Sequence, residues 1–287
     1  MTHACLVSGK YAEVIYSDNN EQLVALFRDA VHGKYNYNVF TPEFITREEF
    51  FKRKDKDAYI RWLWSFGSAG EGYIYSRKIE QLKHEAHDFI VFNRRSAFID
   101  DLMGKDFILP DADIRTRRLF FRSTLTKNKK RFDLPHLERF EWLERIEGLE
   151  RIESLNGLYA FAPVLQIENL ERIERLEGLE TLKGTGKKLT IQCRSYTEYE
   201  YAEGDVVYCD PPYEDKYKRN YYSCGFDFEK FLDWTASRSY PVYFSSYPLS
   251  DELNKGRFEL LWHKDTFSTL SPTSNSTERT ECLYRSR

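Results

Sequence analysis

The chain has 287 residues, of which 41% are apolar and 31% charged, and its formal net charge is −3. Aromatic residues make up 16%, including 20 Tyr and 21 Phe, which excludes a wholly disordered chain and favours stacking surfaces as well as a core. No stretch approaches the ~20 uninterrupted apolar residues of a membrane span, and binding to a polyanion would have to rest on local basic charge.

The five cysteines are scattered and show no close pairing. This arrangement predicts reduced thiols in a cytosolic protein and argues against a disulfide framework or a zinc site. We therefore expect a cytoplasmic protein without a metal. The cysteines are Cys5, Cys193, Cys209, Cys224 and Cys282.

The first predicted elements are a strand and a helix that follow each other directly. Residues 11–18 are typical of a short strand that ends in the carboxylate of Asp18. Residues 19–31 predict an amphipathic helix, capped by Asp18 or Asn19. A strand that leads straight into a helix is the unit of an α/β sheet. The apolar face of this helix comprises Leu23, Leu26, Phe27 and Ala30.

Two local patterns follow. Residues 46–49, Thr-Arg-Glu-Glu, have the capping-box spacing that begins a helix. Residues 61–73 are an apolar run that breaks into a glycine-rich turn at 65–73, Ser-Phe-Gly-Ser-Ala-Gly-Glu-Gly-Tyr, which we call the glycine turn.

A basic segment lies between residues 113 and 132. Its positive residues are interleaved with the apolar side chains of Leu119, Phe120 and Phe121, a composition that suits contact with a phosphate backbone. A solvated helical face has the same composition, so charge alone leaves both interpretations open. The basic residues are Arg115, Arg117, Arg118, Arg122, Lys127, Lys129, Lys130 and Arg131.

Residues 137–182, the Glu-Arg-Leu segment, carry an apolar residue at every third position in two copies. The first copy runs through Leu143 and Leu155, and the second, from Leu170 to Leu182, is offset from it by 27 positions. A period of three matches neither a core-facing α-helix nor a coiled coil, and two copies are fewer than a solenoid normally needs. We interpret the segment as an accessory insertion whose shape the sequence leaves open.

The remaining elements alternate between strand and helix. Apolar, β-branched runs predict strands at 188–193, 205–209 and 241–245, with a helix at 226–235 and a closing hairpin at 258–263 and 281–284. In such an α/β sheet the loops at the carboxyl ends of the strands carry the chemistry.

One motif directly follows a hydrophobic strand, Asp210-Pro-Pro-Tyr213. Chemistry at the exocyclic amine of a planar base needs a hydrogen-bond acceptor, a rigid turn that aims it, and a flat ring that holds the base. Asp210 supplies the acceptor, with the Pro211 carbonyl as a second one, and Pro211 and Pro212 stiffen the turn. Tyr213 supplies the stacking face. The alternative is a plain strand-ending turn, for which Asp-Pro is common.

These motifs, in this order, resemble the Dam-like DNA adenine methyltransferases of phages and bacteria. Asp210-Pro-Pro-Tyr213 corresponds to the family's catalytic motif and is the only individually specific match. The resemblance covers the chain from about Val14 onward, apart from the Glu-Arg-Leu segment. The other matching segments are 17–20, 65–73, 193–196, 241–246, 271–279 and 281–284.

The resemblance implies an α/β fold: a class-I, Rossmann-like sheet that binds S-adenosylmethionine, with an inserted DNA-recognition region. It places the catalytic domain at 1–22 and 186–287, and the recognition region, with the glycine turn, the basic segment and the Glu-Arg-Leu segment, at 23–185. The implied activity is methyl transfer from S-adenosylmethionine to the exocyclic amine of adenine in double-stranded DNA, without a metal.

The resemblance also implies roles for individual residues. Asp210, Pro211, Pro212 and Tyr213 would form the catalytic pocket, which receives an adenine flipped out of the duplex. Asp18 would hold the cofactor ribose, and Ser195 and Tyr196 would lie beside its adenine. For Asp18 the plain alternative is a helix cap, and for Tyr196 an ordinary core tyrosine. The basic segment would then contact DNA phosphates.

The chain departs from the family at one important point. It has no Phe-x-Gly-x-Gly loop before Asp18, where the family cradles the methionine part of the cofactor. We therefore expect weak cofactor binding. Three explanations remain open: a chain truncated or mis-started relative to its gene, which we favour, a partner polypeptide that supplies the missing strand and loop, or a decayed remnant. The alternative function is a catalytically silent or truncated homologue that acts as a DNA-binding or assembly protein. A methyltransferase for cytosine amines or a small molecule is disfavoured by the match at 65–73 and by the basic segment.

Overall fold

The computed structural model describes residues 2–68, 70–77, 79–127, 167–212, 226–267 and 278–287. The chain divides into two compact units, Met1–Arg194 and Ser195–Arg287. The predictions for Tyr213, Lys129, Lys130, Arg131, the first copy of the Glu-Arg-Leu segment and most of 271–279 lie outside the described residues.

The first unit is mainly helical, with a small sheet. Strands β1 (Glu13–Asp18) and β2 (Lys188–Cys193) pair in parallel, so that Asp18 lies opposite Cys193. The helices are α1 (Thr2–Val7), α2 (Glu21–Val31), α3 (Arg47–Arg53), α4 (Ala58–Leu63), α5 (Glu80–Phe92), α6 (Ala97–Met103), α7 (Ile114–Lys127) and α8 (Glu168–Glu177).

The second unit is built on a four-stranded sheet in the order β3-β4-β6-β5. β3 and β4 are parallel, whereas β6 runs antiparallel to both β4 and β5. Its elements are β3 (Val207–Cys209), α9 (Phe228–Ala236), β4 (Val242–Ser246), α10 (Asp251–Asn254), β5 (Phe258–Phe267) and β6 (Glu278–Ser286).

The structure confirms the predicted strands and the mixed α/β class, and it corrects one helix cap. Helix α2 is capped by Asn20, whose side-chain oxygen accepts hydrogen bonds from the amides of Gln22 and Leu23. The predicted caps, Asp18 and Asn19, were wrong because the helix begins two residues later than the pattern suggested. The capping box at Thr46 and Glu49 is confirmed at the start of α3.

The two compact units do not follow the predicted domain boundaries. β1 and β2 bring together parts of the predicted catalytic segments, 1–22 and 186–287, but both strands lie in the same unit as residues 23–185. The division into a catalytic and a recognition domain stays a prediction.

The second copy of the Glu-Arg-Leu segment belongs to the core of the first unit. Leu170 and Ile173 of α8 are fully buried against aromatic and aliphatic side chains from α3 to α7. The chain then tightens into a 3₁₀ helix, Gly178–Thr185, in which Leu182 is also buried. A 3₁₀ helix has three residues per turn, so a period of three places Leu179 and Leu182 on one face. The described part of the segment is therefore structural core, not an appendage.

The core of the second unit lies between α9 and the sheet. Phe231 and Leu232 of α9 pack against Phe244 of β4 and Phe258 of β5, and all four side chains are almost completely buried. This packing buries one face of the sheet to which β3 and β4 belong.

Candidate active site

Asp210 follows β3 at the carboxyl end of two parallel strands. Cys209 lies opposite Phe244, so the next residues, Asp210 and Ser245, come side by side. Side chains two residues apart on a strand share a face, which brings Tyr208 to the same position. The local strand register thus assembles the site.

These three side chains form a hydrogen-bonded chain. The Tyr208 hydroxyl donates to Ser245 Oγ at 3.1 Å, and Ser245 Oγ donates to Asp210 Oδ1 at 2.5 Å. Because an ionised carboxylate can only accept, the Ser245 hydroxyl donates to Asp210 and accepts from Tyr208. The Asp210 carboxylate is thus oriented by a residue of the neighbouring strand β4. Sequence reasoning missed Tyr208 and Ser245, although Ser245 lies at the end of a predicted strand, because only the register of β3 against β4 places it beside Asp210.

The neighbouring ionisable groups stay neutral near physiological pH. Burial raises the pKa of the Cys209 thiol to about 12, and the Asp210 carboxylate beside it acts in the same direction. Burial also raises the pKa of Tyr208, more than its hydrogen bond to Ser245 lowers it. Tyr208 thus remains a donor, and Cys209, whose side chain lies on the opposite face of β3 and packs against the core of the second unit, remains uncharged.

Of the motif at 210–213, the structure describes the first three residues. Asp210 is exposed, Pro211 is buried and Pro212 is half-buried. A buried proline holds the turn against the body of the unit, and its fixed φ limits how far Asp210 can move.

Ser195 and Tyr196 lie in the same unit as Asp210. Ser195 caps the short 3₁₀ helix Tyr196–Glu198, and the Glu198 side chain completes a capping box. Tyr196 is half-buried, and its ring centroid lies 4.7 Å from that of Trp234 and 5.4 Å from that of Phe231, both edge-to-face. The structure thus shows core contacts for Tyr196, while its role beside a cofactor stays a prediction.

Asp18 lies in the first unit, at the end of β1. Its Oδ1 accepts a hydrogen bond from the amide of Asn20 at 2.7 Å, and its backbone carbonyl accepts one from the amide of Arg194. The side chain is half-buried and belongs to the turn that leads into α2. The structure gives no contact that decides the proposed role of Asp18 as a ribose ligand.

The described arginines of the basic segment differ sharply in their surroundings. Arg118 is 7% exposed, and its Nε and Nη2 bind both oxygens of Glu174 at 2.6 and 2.7 Å. Its Nη1 also binds Glu171 at 3.0 Å. Arg118 is therefore engaged in an ion pair that joins α7 to α8.

The other described arginines of α7 are more open. The side chains of Arg115 and Arg122 are 63% and 49% exposed, although Arg122 also reaches Glu171 at 3.1 Å. Arg117 is half-buried and donates to the carbonyl of Val91. Lys127 is the last residue of α7. Arg115 and Arg122 are consequently better placed for a phosphate than Arg118.

The glycine turn is a closed loop that uses its own amides. The amide of Phe66 donates to the carbonyl of Gly72, and the amide of Gly70 donates to Ser65 Oγ at 2.9 Å. Ser65 and Tyr73 form an antiparallel bridge at its base. These two amides are occupied within the turn, so the turn is poorly suited to cradle the cofactor that the missing Phe-x-Gly-x-Gly loop would hold.

The described residues contain neither a cluster of metal ligands nor a membrane-spanning helix. Within residues 2–68, 70–77, 79–127, 167–212, 226–267 and 278–287, no group of three or more His, Cys, Asp or Glu side chains could hold a metal ion. No helix in this part of the chain is long and apolar enough to cross a membrane.

Fold and site together define the general class: a mixed α/β protein with an Asp-Pro-Pro turn beside a parallel strand. Residues 150–233 match the family model of the D12 class N6 adenine-specific DNA methyltransferases. The match spans Ser195, Tyr196 and the motif at 210–213, and it confirms the resemblance to Dam-like adenine methyltransferases. Methyl transfer to adenine in DNA is the activity that this family implies. No curated protein matches the chain.

Proposed function

We propose that this protein transfers a methyl group from S-adenosylmethionine to the exocyclic amine of adenine in double-stranded DNA. The observation that carries the proposal is the position of Asp210. Its carboxylate is exposed at the carboxyl end of β3, is oriented by Ser245, and lies within the segment that matches the adenine methyltransferase family.

The residues of the site would act by orienting the amine. An Asp210 oxygen accepts a hydrogen bond from the adenine amine, and the Pro211 carbonyl is a second acceptor. Both acceptors increase the electron density on the amine nitrogen and orient its lone pair. A site that holds these acceptors in place before the substrate binds lowers the barrier to methyl transfer. When bound, S-adenosylmethionine supplies an electrophilic methyl group. The transfer would leave a neutral thioether and a positively charged amine, whose proton would then pass to Asp210 or to water, so Asp210 need not be a strong base. Tyr213 would stack on the flipped base.

The residues present fit the cofactor only in part. In the first unit, the Asp18 carboxylate is of the kind that accepts hydrogen bonds from ribose hydroxyl groups. In the second unit, the Tyr196 ring is already packed edge-to-face against Trp234 and Phe231. For the methionine part we find no matching backbone loop among the described residues, since the glycine turn bonds to itself. We therefore propose weak cofactor binding by this chain, which a polypeptide that supplies the family's loop would strengthen.

Binding to DNA would use the basic segment. Arg115 and Arg122 have the most exposed guanidinium groups among its described arginines, and Lys127, Lys129, Lys130 and Arg131 continue the positive run in sequence. Contacts of this kind position a protein on the duplex and make its affinity fall with salt.

The product identifies the reaction. The protein is incubated with S-adenosylmethionine and either double-stranded or single-stranded unmethylated DNA, and the digested nucleosides are analysed by mass spectrometry. We expect N6-methyladenine, formed preferentially on the duplex. Methylation of cytosine instead, or salt-sensitive DNA binding without any methylated base, would contradict the proposal, and the second result would favour the silent homologue.

A further inference from the structure

The glycine turn is held at both ends by one helix. Helix α8, from the second copy of the Glu-Arg-Leu segment, contacts the limb that enters the turn and the segment that leaves it. Two features that look unrelated in the sequence, about 100 residues apart, are thus one structural assembly.

Arg172 makes the contact to the entering limb. Its Nη1 donates to the carbonyls of Leu63 at 2.8 Å and Ser65 at 2.7 Å, with a longer contact of 3.4 Å to the carbonyl of Trp62. The carbonyl between them, that of Trp64, accepts from the amide of Ile74 across the turn. Arg172 therefore satisfies the outward carbonyls of this limb, as a neighbouring strand would.

The same contact lies where helix α4 ends. Trp62 and Leu63 belong to the last turn of α4, whose carbonyls have no partner within the helix. A cation there also interacts favourably with the helix dipole. Arg172 thus hydrogen-bonds both the last residue of α4, Leu63, and the first residue of the glycine turn, Ser65.

A second residue of α8 holds the leaving segment. The Tyr75 hydroxyl donates to Asn169 Oδ1 at 2.7 Å, and both residues are almost completely buried. Next to it, the fully buried Lys83 of α5 binds Glu168 at 2.9 Å. The first turn of α8 is therefore fixed in place, and Arg172 extends from a rigid base.

The turn held in this way presents an unusual tip. Phe66 is 48% exposed, and Gly67 and Ser68 are exposed with φ of +59° and +56°. An exposed aromatic ring at the tip of a loop is the kind of group that stacks on a base or inserts between base steps. The geometry of the tip depends on the limb that Arg172 holds.

We propose that Arg172 is a positioning residue that fixes the glycine turn in the conformation that contacts DNA. This inference rests on the proposed function. Arg172 itself makes its contacts with backbone carbonyls, and it acts on DNA binding through the shape of the turn.

The test compares three full-length variants. Arg172→Met removes the hydrogen bonds and keeps the apolar stem, Arg172→Lys retains a charge and part of the bonding, and Arg175→Met alters an exposed arginine of the same helix.

For each variant we measure hydrogen exchange of the amides in 64–74, the KM for duplex DNA and kcat. We expect Arg172→Met to speed exchange in 64–74 but not in 80–92. Its KM for DNA should rise about 10-fold with kcat within about 2-fold, as for a loss of uniform binding. Arg172→Lys should restore part of the effect, and Arg175→Met should behave like the wild type.

The outcomes separate this inference from the proposed function. A fall in kcat alone, or unchanged DNA binding despite faster exchange at 64–74, overturns the inference. If the wild type transfers no methyl group, the proposed function fails, and the Kd for duplex DNA replaces KM as the readout for Arg172. If Arg172→Met does not fold, Arg172→Lys decides: wild-type exchange at 64–74 and wild-type DNA affinity would contradict the role.

Discussion

At the scale of single residues, the site depends on a hydrogen bond that crosses from one strand to the next. Asp210 has its rotation set by Ser245, and Ser245 is in turn held by Tyr208. A carboxylate that is already oriented loses less freedom when it accepts the amine, so the chain of donors is a means of preorganisation.

Removing Ser245 tests that preorganisation. A hydrogen bond to a charged group contributes about 1.5–3 kcal/mol, so we expect Ser245→Ala to lower kcat by about 10- to 100-fold. Tyr208→Phe keeps the bond between Ser245 and Asp210, and its effect should stay below about 10-fold. Steady-state methyl transfer with saturating DNA and cofactor measures both. A Ser245→Ala enzyme as fast as the wild type, or a Tyr208→Phe enzyme slower than Ser245→Ala, would contradict this account.

At the scale of elements, helix α8 connects the basic helix α7 to the glycine turn. Its acidic side chains neutralise part of α7, and Arg172 reaches the carbonyls at the end of α4. The described copy of the repeat therefore stabilises the first unit through charge as well as through buried leucines.

The two arginines that contact Glu171 should differ in their effect on stability. Arg118→Ala leaves the almost buried carboxylate of Glu174 without its bidentate partner, so we expect a loss of about 3 kcal/mol in the free energy of unfolding. Arg122 is half exposed, and Arg122→Ala should cost less than about 1 kcal/mol. Urea titrations of both variants measure the difference. Equal losses would show that Arg118 is not the principal ion pair between α7 and α8.

Two glycines of the turn form a matched pair. Gly70 has φ +78°, and an added Cβ would lie 2.8 Å from Arg61 Nε, whereas a Cβ on Gly72 would meet nothing within 4 Å. We expect Gly70→Ala to destabilise the protein by about 1–2 kcal/mol, mainly from left-handed backbone strain, and Gly72→Ala by less than about 0.5 kcal/mol. Chemical denaturation measures both, and similar values for the two variants would argue against the closed turn.

The sequence predicts elements here better than it predicts contacts. Apolar, β-branched runs located β2, β4 and the closing hairpin, because strand propensity and burial are recorded in the local order of residues. The period of three at Leu179 and Leu182 did not lead to the prediction of a 3₁₀ helix, since 3₁₀ helices of this length are uncommon. The ion pair of Arg118 with Glu174 joins residues 56 positions apart, so no local sequence pattern predicts it. Likewise, only the register of β3 and β4 reveals Ser245.

At the scale of the whole molecule, a set of buried and half-buried tyrosines makes the stability of the protein depend on pH in the alkaline range. Burial raises the pKa of Tyr16 to about 12 and raises the pKa values of Tyr35, Tyr37, Tyr59 and Tyr73 as well. In the unfolded chain these phenols lose their protons near pH 10. Above that pH the unfolded state binds fewer protons than the folded state, so the free energy of unfolding falls.

We therefore expect Tm to decline steeply above about pH 10 while tyrosinate absorbance rises with unfolding. Thermal melts from pH 8 to pH 11, followed by circular dichroism and absorbance, measure this. A Tm at pH 11 equal to that at pH 8 would mean that these hydroxyl groups titrate as freely in the folded state as in the unfolded one.

The most direct measurement is transfer of labelled methyl from S-adenosylmethionine to unmethylated duplex DNA by three proteins. These are the wild type, Asp210→Ala, and Glu203→Ala as a control that removes an exposed carboxylate from the same unit. We predict transfer by the wild type and by Glu203→Ala, and a loss of at least about 100-fold in Asp210→Ala while DNA binding is retained. Transfer by Asp210→Ala at the wild-type rate would contradict the assignment of the site, and absence of transfer by the wild type at saturating cofactor would contradict the proposed activity.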